Sequence, residues 1–124
     1  KLLLPLPLTM TEKIEAMSKV TLGEGLHLLS GVSSGSLTMF CARHGIRSLL
    51  VFGSYARGEQ KPESDLDILV QFQPEHTPDF LAMVAMEMEL NQLTGRRVDF
   101  RTPEEISRYV RDRVLAEAKA VIVC

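Results

Sequence analysis

Two stretches decide the reading: Leu49-Leu-Val-Phe-Gly-Ser-Tyr-Ala-Arg-Gly58 and, after five more residues, Ser64-Asp-Leu-Asp-Ile-Leu-Val-Gln-Phe72. Arg47–Phe52 is a short apolar run that predicts a strand. In Asp65–Phe72, Leu66, Ile68, Val70 and Phe72 fall on one face of a second strand, and Asp65 and Asp67 share the other. Gly53–Ser64 reads as a long polar connection between them. Gly53 and Ser54, small residues placed directly after a strand, let the backbone approach a ligand closely. Turn N–H groups and the Ser54 hydroxyl can hold phosphate oxygens, and Arg57 can add charge-assisted bonds.

Working outward, Val98–Arg101 predicts a third strand, and it carries Asp99. If it pairs with the second strand, Asp65, Asp67 and Asp99 converge. Two unit charges 4 Å apart repel by about 4 kcal/mol at an effective dielectric of 20, so three such groups call for a cation. Oxygen-only ligation favours Mg²⁺ or Mn²⁺ over zinc. Asp-x-Asp by itself is a common motif, and its plain reading is separate solvated carboxylates. A strand, Gly-Ser, ten residues and then Asp-x-Asp on a second strand is far more specific.

The remaining elements frame these strands. A capping box at Thr9-Met-Thr-Glu12 predicts a helix through about Val20. Ser30–Ser36 reads as a loop whose serines cap a helix over Leu37–His44, ended by Gly45, with Leu37, Phe40, Cys41 and His44 on one face. Asp79–Leu93 reads as a helix with Phe80, Met83, Val84, Leu90 and Leu93 inward, closed by Thr94-Gly95. Thr102-Pro-Glu-Glu105 is a strong helix start. That helix is expected to reach about Lys119 and to bury Ile106, Val110, Val114 and Ala118. Val121–Val123 is a fourth strand or a packed tail. The order predicts an α+β fold, a small mixed β-sheet covered by helices. Residues 1–30 form an N-terminal extension and helix, and residues 31–124 form the domain that carries the motifs.

Composition narrows the function classes. With 124 residues, 45% hydrophobic and 24% charged, the chain is of globular type, and collagen-like and disordered classes are excluded. Fourteen basic against 16 acidic residues give a net charge of −2, which disfavours a broad nucleic-acid-binding face, so no direct DNA binding is expected. No apolar run reaches membrane-spanning length, so no membrane partner is expected. The apolar start carries Pro5 and Pro7, and Met10 is a candidate translation start. Cys41 and Cys124 make no metal spacing, which points to a reduced, cytoplasmic protein. Seven of the basic residues lie between Arg96 and Lys119. Arg96 and Arg97, beside Asp99, are candidates for the site, whereas Arg108, Arg111 and Arg113 read as a solvated helix face. His27, His44 and His76 are scattered and read as non-catalytic. Tyr55 is either a stacking residue or an exposed loop aromatic.

Gly53-Ser-Tyr-Ala-Arg-Gly58 followed by Ser64-Asp-Leu-Asp67 resembles the signature of the polymerase-β-type nucleotidyltransferases. Within that superfamily the chain most resembles the minimal nucleotidyltransferases, the MNT halves of MNT–HEPN toxin–antitoxin pairs. Arg96-Arg-Val-Asp99 resembles the element that carries the family's third carboxylate, and the likeness runs over roughly residues 36–121. It implies a nucleotidyltransferase fold in which Asp65 and Asp67 hold two Mg²⁺ ions, Mn²⁺ being an alternative. Asp99 would bind the catalytic metal and help deprotonate the acceptor. Gly53 and Ser54 would hold the β- and γ-phosphates, and Arg57 matches the pattern of the nucleotide-binding loop. It further implies transfer of a nucleoside monophosphate, AMP from ATP, to a hydroxyl of a partner protein, a tyrosine of a HEPN-type helical toxin. In such a site two metals stabilise both the attacking and the leaving oxygens. Larger relatives bind the acceptor with a second domain; a chain of this size has no room for one, so a complex or a homo-oligomer is implied. Two alternatives stand beside this reading: a non-catalytic antitoxin that neutralises its partner by covering it, and a small-molecule nucleotidyltransferase needing a second, helical subunit.

Overall fold

In the computed structural model, residues 20–124 are described. The helix expected over Thr9–Val20 lies almost wholly outside them. Five strands form one mixed sheet: β1 (Thr21–Leu22), β2 (Ile46–Phe52), β3 (Leu66–Phe72), β4 (Val98–Arg101) and β5 (Lys119–Val123), in the order β1-β5-β2-β3-β4. The β2–β3, β2–β5 and β1–β5 pairs are antiparallel, and β3–β4 is parallel. A parallel pair needs a crossover, and the helix between β3 and β4 supplies it.

Local chemistry sets the element ends. Helix α1 (Ser34–His44) begins where the Ser33 hydroxyl accepts from the Ser36 N–H at 3.2 Å, and it ends at Gly45. Helix α2 (Gly53–Arg57) is one short turn inside the stretch expected as a polar connection. Helix α3 (Phe80–Thr94) is capped by Asp79, whose carboxylate accepts from the Ala82 N–H at 2.8 Å. The box at Thr102 forms, with Glu105 accepting from the Thr102 N–H at 2.9 Å, but it caps only a 3-10 turn over Pro103–Glu105. Ile106 is extended and buried, so the chain breaks there and restarts at Ser107 as α4 (Arg108–Glu117). The single helix expected over 102–119 is therefore two pieces, because burying Ile106 outweighs helical continuity.

The sheet is covered on both faces. On one, Leu66, Ile68 and Val70 of β3 pack with Leu49 and Val51 of β2, Leu37, Phe40 and Cys41 of α1, and Met86 and Leu90 of α3. The alternation expected for β3 holds, with Phe72 at its rim. On the other face Leu69 packs with Ile106 and Val114, flanked by Leu50, Phe52 and Val110. The expected inward face of α3 is partly wrong: Phe80 is 77% exposed and Val84 is 38% exposed, while Met86 is buried. In the first half of α3, Ala82 and Met83 pack against the core, while Phe80 and Val84 stay exposed. No described helix is long and apolar enough to cross a membrane.

Candidate active site

Strand register brings two carboxylates together. In the parallel β3–β4 pair Asp67 lies directly opposite Asp99, so both side chains leave the same face of the sheet. Neighbouring strands are about 4.8 Å apart, which puts the two charges in strong mutual repulsion. Asp65 lies just before β3, where Arg97 Nε donates to its Oδ1 at 2.5 Å. Arg101 Nε donates to Asp99 at 3.1 Å. Among the described residues, Asp67 alone of the three has no arginine bound directly to it.

Asp67 therefore carries the strain of the site. Burial first, then Asp99 and Asp65, push its carboxyl up to about 6 against the smaller opposing pull of Arg101 and Arg57. Both position and chemistry suit a hard dication, which takes oxygen ligands and cancels this repulsion. As they stand, no three His, Cys, Asp or Glu side chains among the described residues are gathered closely enough to grip a metal. Asp65 is engaged by Arg97 instead.

The glycine turn is built against these carboxylates. Gly53 follows β2 with φ +71°, and a Cβ there would lie 2.1 Å from Asp67 Oδ2. Only glycine lets the Asp67 carboxylate pack on the Gly53 backbone while the chain takes the left-handed conformation. The turn and the carboxylate strand are thus one unit. Ser54 and Arg57 follow on α2, and Gly58 (φ +70°) ends it. Arg57 reaches back over the turn, with Nε on Glu59 at 2.9 Å and Nη1 on Glu117 at 3.0 Å. These bonds hold its guanidinium firmly protonated.

Several residues differ from expectation. Arg96 does not enter the site: it bonds the Thr94 and Ser30 carbonyls and lies 5.9 Å from the Tyr55 ring centroid. Arg97 does enter, through Asp65. Arg101 and Glu117 were not singled out. The signal for Arg101 was its strand spacing, two residues from Asp99 on the same face; Glu117 had none, because only the fold brings it to Gly53. His44 bonds Glu89 at 2.9 Å, away from the carboxylates.

A nucleotidyltransferase-domain family profile matches residues 35–121, which spans the glycine turn and all three aspartates. The chain belongs to that family and is a nucleotidyltransferase. A Methanocaldococcus jannaschii protein, provisionally named a protein adenylyltransferase, is 41% identical over 80 residues, covering 64% of this chain and 84% of the relative. The protein adenylyltransferase MntA of Thermococcus cleftensis is 43% identical over 75 residues, covering 60% of this chain and 74% of its own. A crystal structure of a toxin–antitoxin with AMP-PNP superposes with a TM-score of 0.58 at 23% identity, covering 69% of each chain. At that identity the likeness speaks for the fold.

Proposed function

We propose that this chain transfers AMP from ATP to a hydroxyl of a partner protein, as the antitoxin of a helical HEPN-type toxin. The observation that carries this reading is the register pairing of Asp67 with Asp99 beside a glycine turn that fits no other residue. The names of the similar proteins support it: two are named protein adenylyltransferases, one of them provisionally, and one solved neighbour is a toxin–antitoxin with AMP-PNP. Residues 31–124 form the catalytic unit in this reading.

The roles follow from position. Asp65, Asp67 and Asp99 would hold Mg²⁺, Asp65 being available to it once its bond with Arg97 is released. The metal, when bound, neutralises charge on the triphosphate and lowers the cost of the leaving pyrophosphate. The Gly53 N–H, the Ser54 hydroxyl and Arg57 hold the β- and γ-phosphates. The acceptor oxygen attacks the α-phosphorus, the bond to the β-phosphate oxygen breaks, and Asp99 takes the hydroxyl proton. Arg101, bound to Asp99, keeps that carboxylate aimed before the transfer. Most of the rate gain then comes from position and preset charge.

The test uses α-labelled ATP, Mg²⁺ and the partner protein encoded beside this chain. Label is expected on the partner, and the transfer is expected to fall at least a hundredfold in Asp67→Asn and Asp99→Asn, as removal of a key electrostatic group does. Neutralisation of the toxin with no label transfer would favour a binding module; label on a small molecule alone would favour the two-subunit enzyme.

A further inference from the structure

Glu117 is the last residue of α4, with its side chain 21% exposed. Its Oε1 accepts from the Gly53 N–H at 3.3 Å, and both of its oxygens accept from Arg57 Nη1, at 3.2 and 3.0 Å. A carboxylate is thus bound by one backbone N–H of the glycine turn and by the guanidinium next to it. Arg57 Nε is meanwhile taken by Glu59 at 2.9 Å. Glu117 also sits at a helix C-terminus, where the macrodipole disfavours a negative charge. Its attachment therefore rests on Arg57 and Gly53 and not on its own helix. Gly53 and Arg57 would bind an anion with more charge and more oxygens in the same way.

We propose that Glu117 occupies the polyphosphate seat and must leave it before a triphosphate binds, so that this one carboxylate sets the affinity for the nucleotide. This rests on the assignment of Gly53, Ser54 and Arg57 to the β- and γ-phosphates. The competitor is specific for that end of the ligand. AMP lacks the β- and γ-phosphates and does not contest the seat, whereas triphosphates and free pyrophosphate do. Glu117 thereby lowers affinity for substrate and for released pyrophosphate together, and favours departure of the leaving group.

The test is calorimetric binding with Mg²⁺ present, using inorganic tripolyphosphate, a non-hydrolysable ATP analogue and AMP as probes. Glu117→Gln keeps the shape and removes the charge. It is expected to lower Kd for tripolyphosphate and for the analogue about three- to tenfold, the scale of one partly exposed ion pair plus relief of repulsion. AMP affinity is expected to stay within about twofold. Unchanged or weaker tripolyphosphate binding would overturn the proposal, because Glu117 would then only position Arg57. Equal tightening of AMP would overturn it too, as a general charge effect. Should Glu117→Gln fail to fold, Glu117→Asp withdraws the carboxylate by one methylene and is expected to give a smaller tightening in the same direction, its absence counting against the proposal. The label-transfer assay is read separately. Tightening without transfer would sink the proposed function and leave this inference standing, and transfer without tightening would do the reverse.

Discussion

Replacing Asp67 with asparagine should make the metal-free protein more stable near neutral pH. The folded state raises this carboxyl from its ordinary 3.8 to about 6, through burial and the neighbouring Asp99 and Asp65. A raised acid binds more protons folded than unfolded, so its contribution to stability is complete below 3.8 and is lost as pH climbs through 6. At pH 7.5 the ionised group is a penalty. Each tenfold change in proton affinity is worth about 1.36 kcal/mol, which sets a ceiling of about 3 kcal/mol. Asp67 is only half-buried, so solvent screening reduces this to about 1–1.5 kcal/mol. For a domain of this size that is a rise in Tm of about 4–6 °C. Thermal unfolding in EDTA at pH 7.5 and at pH 3.5 measures it. The Asn variant is expected to gain at the higher pH and to match the parent at the lower. Added Mg²⁺ should stabilise the parent and not the variant. An Asp67→Asn protein that is less stable at pH 7.5, or a difference that does not change with pH, would refute the account of repulsion at the site.

Gly53→Ala should cost about 1–3 kcal/mol in urea unfolding, since a non-glycine residue at φ +71° is strained and its Cβ meets Asp67 Oδ2. AMP transfer should fall with it, because the carboxylate has to move. Glu89 bonds Arg43 and, at 2.9 Å, His44, and these partners, Arg43 first, hold its carboxyl below the ordinary 4.5. That contribution is present above pH 4.5 and fades as pH falls below it; Glu89→Gln should therefore cost up to about 1 kcal/mol at pH 7 and progressively less as the pH is lowered below 4.5, by chemical denaturation. In the native protein Cys124, which is exposed, should react with a thiol reagent, while Cys41, buried and pushed far up by desolvation, should react only on unfolding. Equal rates for the two thiols would contradict the packing of α1.

What the chain disclosed in advance was what local pattern can carry. The period-two alternation of Leu66, Ile68 and Val70 identified a strand and the face it turns to the main core, and Asp67 followed onto the opposite side, where Leu69 is buried in a second core. The serines of the 30–36 loop and Gly45 marked helix ends because capping is a short-range bond, while Asp79, expected as the first helical residue, proves to be the cap. The failures lie where tertiary contact outranks local preference. Ile106 sits in a helix-favouring stretch, yet Leu69 and Val114 draw it into the second core and the helix divides. Thr21–Leu22 joins β5 as a strand of two residues, too short to show any period. Its hint was Gly23 and Gly25, whose missing Cβ atoms let the chain press against the β5 backbone at Lys119 and Ala120. The same limit applies at the site. Asp99 was legible because Val98 and Phe100 frame it in a strand, while Glu117 on a distant helix becomes a neighbour of Gly53 only after folding.

Strand β4 is the outermost strand of the sheet on its side among the described residues, and it carries Asp99. On an edge strand that carboxylate keeps 35% of its side chain open to solvent, within reach of an acceptor as large as a folded protein. In the proposed transfer, selectivity would reside in the surroundings of the incoming hydroxyl, in how well two surfaces match.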